Sequence, residues 1–215
     1  NRAEKREQSR IESVQAAEPQ LVRIEKPVYG GAFLARVEKK AIFVPLTMPG
    51  ELARVRIVED KRGYANAEVD EILEQAVERI APECRHFGAC GDCQYQDMDA
   101  KTQLTRKQAI IRETLGRGGV QAPVDIDVLA GEPWYYRNRI RLAVDSSCCL
   151  GYRSRRSHSI VAMEECPIAA PLLVSAAKAF AEVARAAADV ANQRSYFVLQ
   201  YGGDTAAGEC DSEVW

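Results

Sequence analysis

The run Cys84-Arg85-His86-Phe87-Gly88-Ala89-Cys90-Gly91-Asp92-Cys93 constrains this chain more than any other stretch. It is a C-x5-C-x2-C motif, and a further thiol stands far downstream in Glu165-Cys166-Pro167. Three clustered thiolates and one remote thiolate form a ligand set for a [4Fe-4S] cluster, because short spacings let one loop wrap three corners of the iron–sulfur core. Cys84, Cys90, Cys93 and Cys166 are therefore the candidate metal ligands. Gly88 and Gly91 suit a loop whose backbone passes close to an inorganic core. Pro167 repeats the Cys-Pro ending of ferredoxin-type runs.

Three other readings compete. Structural zinc sites usually pair two short-spaced knuckles, and this chain has one C-x2-C, so zinc would need Cys84 and Cys166 as its remaining ligands. A disulfide framework fits poorly, because seven cysteines is an odd number, no secretory signal opens the chain, and 215 residues do not need staples. Buried structural thiols would not cluster around Gly and Asp in a polar loop.

A chain 47% hydrophobic and 28% charged can bury a core, and its length suits one large or two modest domains. No apolar run approaches a membrane span, so no membrane partner is expected. Free thiols in number point to the cytoplasm. The net charge of -2 does not by itself indicate nucleic acid, but the distribution of charge does. The chain opens on Asn1 and stops at Trp215 just after an apparent strand and turn, which suggests a piece of a longer protein.

The pattern predicts an α+β protein. Residues 1–18 read as a polar tail. Residues 19–76 read as five short antiparallel strands closing into an OB-like β-barrel. Leu21, Val22 and Ile24 open the first strand; Phe33, Ala35 and Val37 alternate in the second; Ile42 to Val44 form the third. Met48-Pro49-Gly50-Glu51 is a turn, Leu52 to Val58 a fourth strand, and Tyr64 to Leu73 a fifth. Such barrels often bind oligonucleotides, and Arg54, Arg56, Lys61 and Arg62 are its candidate RNA contacts, against the plainer reading of a structural barrel.

Residues 77–215 read as a domain with an antiparallel sheet and helices around the cysteine loop. A helix capped by Asp97 or Asp99 runs to about Leu115, with Leu104, Ile111 and Leu115 on its apolar face. Gly116-Arg117-Gly118-Gly119 follows that helix and is a C-terminal stop rather than a phosphate loop. From Trp134 to Val144 the residues alternate like a strand, which places Arg137, Arg139 and Arg141 on one face. A second arm from Leu150 to Val161 carries Arg153, Arg155 and Arg156, with Ser146-Ser147 in the turn between the arms. Six Arg against one acid, Asp145, with Tyr136 nearby, describe a phosphate-binding surface, because guanidinium forks match phosphate oxygens and aromatic planes stack on bases. The plain alternative is a solvated strand face. His158 is an exposed contact residue in this reading. Pro171 opens an Ala-rich helix running to about Asn192, with Leu172, Leu173, Ala176, Phe180, Val183, Ala187 and Val190 on its buried side. Tyr196 to Tyr201 reads as a strand.

These separated motifs resemble those of the bacterial 23S rRNA (uracil-5-)-methyltransferases. Pro49-Gly50-Glu51 is similar to the TRAM barrel of that family. Pro82-Glu83-Cys84, Cys90-Gly91-Asp92-Cys93 and the helix with Gln103 and Lys107 resemble its cluster loop. Tyr136-Arg137-Asn138-Arg139 and Glu165-Cys166-Pro167-Ile168 resemble its central-domain motif and fourth-ligand setting. Asp92 stands where Gly is more usual. The resemblance, over residues 20–200, implies a TRAM barrel, an iron–sulfur central domain and the forming of 5-methyluridine in ribosomal RNA from S-adenosylmethionine. The family's nucleophilic Cys, base and Gly-rich cofactor loop lie in a C-terminal domain, and none of those motifs occurs here. S-adenosylmethionine is accordingly expected to bind only that missing domain. No catalytic residue is assigned; Cys148, Cys149 and Cys210 lack the family's surroundings. The expected protein is the monomeric recognition half of the enzyme, inactive alone, whose cluster holds the basic hairpin in register. Other classes remain: a stand-alone RNA-binding protein, a radical RNA-modifying enzyme (which would need C-x3-C-x2-C before the barrel), and a redox-sensing regulator.

Overall fold

The computed structural model describes residues 18–145, 149–183 and, for the backbone, 184–186 and 195–200. The polar tail up to residue 17, the Ser146-Ser147 turn, Cys148, the end of the Ala-rich helix and Cys210 lie outside the described residues. The chain divides into two compact units: residues up to Ala81 with Asp97–Val128, and Pro82–Gln96 with the residues from Leu129 onward. The helix that follows the cysteine loop therefore groups with the barrel.

The first unit is built on a closed five-stranded barrel of β1 (Gln20–Pro27), β2 (Ala32–Val37), β3 (Lys40–Pro45), β4 (Leu52–Asp60) and β5 (Tyr64–Glu74), in the order β1-β2-β3-β5-β4. Alternation decides its interior. Val22 and Ile24, Phe33 and Ala35, Ile42 and Val44, Ala53 and Val55, and Ala65 and Ala67 are each no more than 2% exposed. Small residues at the inward positions of β5 suit a barrel this narrow. One expectation fails: β3 and β5 run parallel, with Ala41 opposite Tyr64 and Phe43 opposite Asn66. Strand direction can alternate all round a ring only when the strand number is even, so five strands leave one parallel pair.

Glu51, read from sequence as a turn residue, is fully buried. Its carboxylate accepts the Met48 N–H at 2.7 Å and the Ala76 N–H at 3.2 Å. Arg79 donates to it from Nε at 2.6 Å and from Nη2 at 2.9 Å. Arg79 also reaches Asp97 Oδ2 and the Leu46 carbonyl, each at 3.2 Å. The chain leaves this unit at Ala81 and returns at Asp97, and the Ile80 N–H donates to the Asp97 carbonyl at 2.9 Å. The salt-bridged network thus closes the neck of the excursion that carries the cysteines.

Helix α1 (Ala100–Arg117) is capped by Asp99, which accepts the Thr102 N–H at 2.7 Å. The helix ends at Gly118. Its buried residue is Ile110, and Ile111 is 46% exposed, so the inner face lies one residue from the expected one. Periodicity alone cannot choose between adjacent isoleucines; the surface they pack on does.

The second unit holds a sheet in the order β8-β7-β6-β9, from β6 (Arg139–Val144), β7 (Leu150–Arg153), β8 (Ile160–Ala162) and β9 (Ser195–Gln200). Ile140, Leu142, Leu150, Tyr152 and Met163 pack with Ala169 and with α2 (Pro171–Ala186). The strand expected from Trp134 begins only at Arg139, because Tyr135 takes a φ of 55° and the residues around it pair elsewhere. The expected second arm is two strands, broken where the Ser154 N–H donates to the Ser159 carbonyl at 2.9 Å. On α2 the buried stripe is Leu173, Ala177 and Ala181, whereas Leu172 and Val183 are 54% and 66% exposed. An i, i+4 row faces the sheet, and a row one residue away faces solvent. Among the described residues no helix is long and apolar enough to cross a membrane.

Candidate functional site

The second unit brings all four candidate thiols to one cavity. Cys84, Cys90, Cys93 and Cys166 line it together with Gln96 and Tyr152. The loop bearing the first three is held against the end of β7. The Gly91 N–H donates to the Arg153 carbonyl at 3.0 Å, and the Arg155 N–H donates to the Ala89 carbonyl at 3.2 Å. A Cβ on Gly91 would sit 3.0 Å from the Arg153 carbonyl oxygen, so a side chain there would press the loop away from β7 by a few tenths of an ångström. Cys166 comes in on the segment before α2, whose Ala169 is fully buried.

Donors are aimed at the sulfurs. Gln96, only 6% exposed, uses both ends of its amide: Nε2 donates to Cys93 Sγ at 3.2 Å, and Oε1 accepts the Cys84 N–H at 3.1 Å. The Tyr152 hydroxyl donates to Cys166 Sγ at 3.5 Å. Burial pushes the Cys84 thiol up, against hydrogen bonds from the backbone of His86 and Phe87. Burial pushes the Cys90 thiol up to about 11, against a backbone hydrogen bond from Asp92. Cys93 is also raised by burial, with Gln96 and the Arg137 cation opposing. Tyr152 is raised by burial and by the neighbouring Cys166.

Among the described residues, no three His, Cys, Asp or Glu side chains converge tightly enough to hold a single metal ion. A tetrahedral zinc would draw its sulfurs to about 2.3 Å from one point. The four thiols line a shared space without meeting at a point. Cys149 stands apart from this set, its N–H donating to Asp145 Oδ1 at 3.0 Å.

A second cavity in the same unit is an open groove of about 720 Å³ lined by Arg137, Arg139, Arg141, Arg153, His158 and Asp92, among others. Its size is that of a ligand cleft. Arg139 and Arg141 are exposed on β6, on either side of buried Ile140. Arg137 lies before the strand and pairs with Asp92, Nη1 to Oδ2 at 2.7 Å. Arg153, at the end of β7, donates to the His158 carbonyl. Arg155 and Arg156 sit in the turn after β7 rather than on a strand face, and Arg156 has a φ of 51°. Tyr136 is 59% exposed. Asp92 and Tyr152 line both the groove and the thiol cavity, so the two cavities share a wall.

In the barrel unit Arg54 pairs with Glu71, and Arg56 with Asp70 at 3.1 Å. Lys61 pairs with Glu59 at 3.0 Å, and Arg62 lies in the exposed β4–β5 turn. Arg54 and Lys61 are 43% and 51% exposed, whereas Arg56 and Asp70 are 34% and 31% exposed. Sequence reading missed Gln96, the Asp92–Arg137 pair and Tyr152. The one signal for Gln96 was an amide three residues past a thiol; Tyr152 carried no signal beyond strand alternation, and pairing across 45 residues leaves none.

Comparison with known proteins bears on the barrel and on the family. Residues 17–69 match the TRAM domain. Proteins named 23S rRNA (uracil(1939)-C(5))-methyltransferase RlmD are similar: that of Shewanella frigidimarina is 36% identical over 147 residues, which is 64% of this chain and 32% of that protein. That of Pectobacterium carotovorum is 37% identical over 149 residues, 66% of this chain and 33% of that protein. That of Salmonella typhimurium is 38% identical over 149 residues, 67% of this chain and 33% of that protein. The chain thus spans about a third of the length of these relatives. The crystal structure of Pyrococcus abyssi tRNA (uracil-54, C5)-methyltransferase with S-adenosyl-L-homocysteine matches with a TM-score of 0.56 at 21% identity, covering 84% of this chain and 42% of that one. At that identity the match speaks for the fold alone.

Proposed function

This chain belongs to the family of the 23S rRNA (uracil-5-)-methyltransferases, and from that premise we propose that it is the RNA-recognition and iron–sulfur portion of an enzyme that makes 5-methyluridine in ribosomal RNA with S-adenosylmethionine. The observation that carries the reading is the shared wall between a four-thiol cavity and an arginine groove. Cys84, Cys90, Cys93 and Cys166 would hold a [4Fe-4S] cluster, with Gln96 and Tyr152 donating to two of the sulfurs. When bound, the cluster supplies iron–thiolate bonds that fasten the loop at residues 84–93 to the segment at Cys166.

RNA would be met by Arg139, Arg141, Arg153, Arg155 and Arg156 with Tyr136, and on the barrel by Arg54, Arg56, Lys61 and Arg62. The carboxylates paired with the exposed cations Arg54 and Lys61 do not oppose this. Exposed ion pairs are worth about 0–1 kcal/mol, so a phosphate can displace such a carboxylate at little cost. No described residue is assigned the thiolate addition, the proton removal or the binding of S-adenosylmethionine, and this stretch alone is not expected to transfer methyl groups.

The test is anaerobic purification followed by metal analysis. About four irons per chain and broad absorbance near 400 nm are expected. A colourless protein holding one zinc overturns the cluster assignment. Binding to a 23S rRNA fragment should weaken steeply with salt, as a groove that neutralises phosphates requires. Salt-independent binding, or none, overturns the RNA assignment.

A further inference from the structure

Arg137 was expected on the RNA face, yet it touches both thiol-bearing segments. Its N–H donates to the Ile168 carbonyl at 2.8 Å, and its own carbonyl accepts the Ala170 N–H at 2.9 Å. Those two bonds fix its backbone to the stretch just after Cys166. Its side chain reaches Asp92, between Cys90 and Cys93, with Nη1 to Oδ2 at 2.7 Å. We propose that Arg137 is a positioning residue for the four-thiol site, clamping the Cys90–Cys93 loop to the Cys166 segment through Asp92. The inference rests on the iron–sulfur reading above.

Two comparisons support it. Arg85 links the same two segments through Glu164 and Glu165, but those side chains are 67% and 56% exposed and Arg85 is 52% exposed. The Arg137 and Asp92 side chains are only 30% and 39% exposed, so their pair is less screened. The backbone that Arg137 grips is anchored in turn, because Ala169 is fully buried in the core of the unit. A phosphate that took Arg137 would have to displace Asp92 and release the loop. Arg139 and Arg141 lie further along the same groove, on β6.

The test compares R137K, R137Q, D92N and R85Q in the full chain after anaerobic loading with iron and sulfide. Loss of iron to a chelator is followed by the fall in visible absorbance. R137Q and D92N should lose iron about tenfold faster than wild type, the lower end of what removing an outer-shell partner costs a metal site. R137K, which keeps the charge, should recover most of that loss, and R85Q should match wild type. The salt dependence of binding to a 23S rRNA fragment should be unchanged in R137Q. If R137Q holds iron at the wild-type rate while its salt slope drops by about one, Arg137 is a phosphate contact and the clamp is wrong. A second readout needs no iron. In metal-free protein, D92N should raise the alkylation rate of Cys93 relative to Cys149 several-fold. A wild type that takes up no iron sinks the cluster reading alone, and the alkylation ratio then decides the clamp: an unchanged ratio overturns it.

Discussion

Replacing Arg79 by alanine should cost the barrel unit more than any other single change there. Four hydrogen bonds go: two to Glu51, one to Asp97 and one to the Leu46 carbonyl. The carboxylates left behind are 0% and 1% exposed, and Arg79 itself is only 15% exposed, so solvent screening does little. Asp97 can escape part of the penalty by taking a proton, since burial already holds its carboxyl above the usual range. Glu51 keeps its Met48 and Ala76 N–H donors but loses its cation. Breaking a buried pair by removing one partner costs about 3–5 kcal/mol. At about 4 °C per kcal/mol that is a fall of about 10–20 °C in Tm. Calorimetry would read the fall, and amide hydrogen exchange would place it in β1 to β5. The deficit should shrink on acidification, because burial already holds the Asp97 carboxyl above its usual range, and a folded state whose acid has a raised pKa gains stability as that acid protonates. The double variant R79M/E51L, which removes Arg79 and Glu51 together but leaves Asp97, should recover part of the loss. A loss under about 1 kcal/mol in R79A, or a double variant as unstable as R79A, would refute the network as the closure of the neck.

Three further outcomes follow from the second unit. In metal-free protein the Cys90 thiol should alkylate with a midpoint at about pH 11, against an ordinary value of 9.0. Its folded pKa is raised, so the stability it contributes is complete below pH 9.0 and is lost as pH rises through about 11; a midpoint near 9.0 would contradict the burial. Gly151→Ala places a Cβ 2.0 Å from the Val161 carbonyl oxygen and should cost at least about 2 kcal/mol in urea unfolding; a neutral result would mean the β7–β8 pair yields freely. Leu173→Ala should cost about 2–4 kcal/mol and Leu172→Ala under about 1, since Leu173 is 3% exposed and Leu172 is 54% exposed; equal losses would refute the assigned face of α2.

Much of this protein is decided locally. Alternating apolar residues at 22 and 24, 33 and 35, and 42 and 44 commit three segments to a barrel, because only one face of each can be buried. The cysteine spacing commits residues 84–93 to one loop for an equally local reason: sulfurs that close in sequence share one neighbourhood. Tertiary structure settled what depends on distant partners. The parallel β3–β5 pair follows from closing an odd ring, which no strand announces by itself. Ile110 rather than Ile111, and Leu173 rather than Leu172, face inward because the opposing surface selects the row. Arg137 shows the limit most clearly. Its alternation with Arg139 and Arg141 placed it on an RNA-facing strand, while its peptide pairs with residues 168 and 170 and its guanidinium with Asp92. Charge pattern tells where an arginine stands along the chain, and only the fold tells which carboxylate reaches it first.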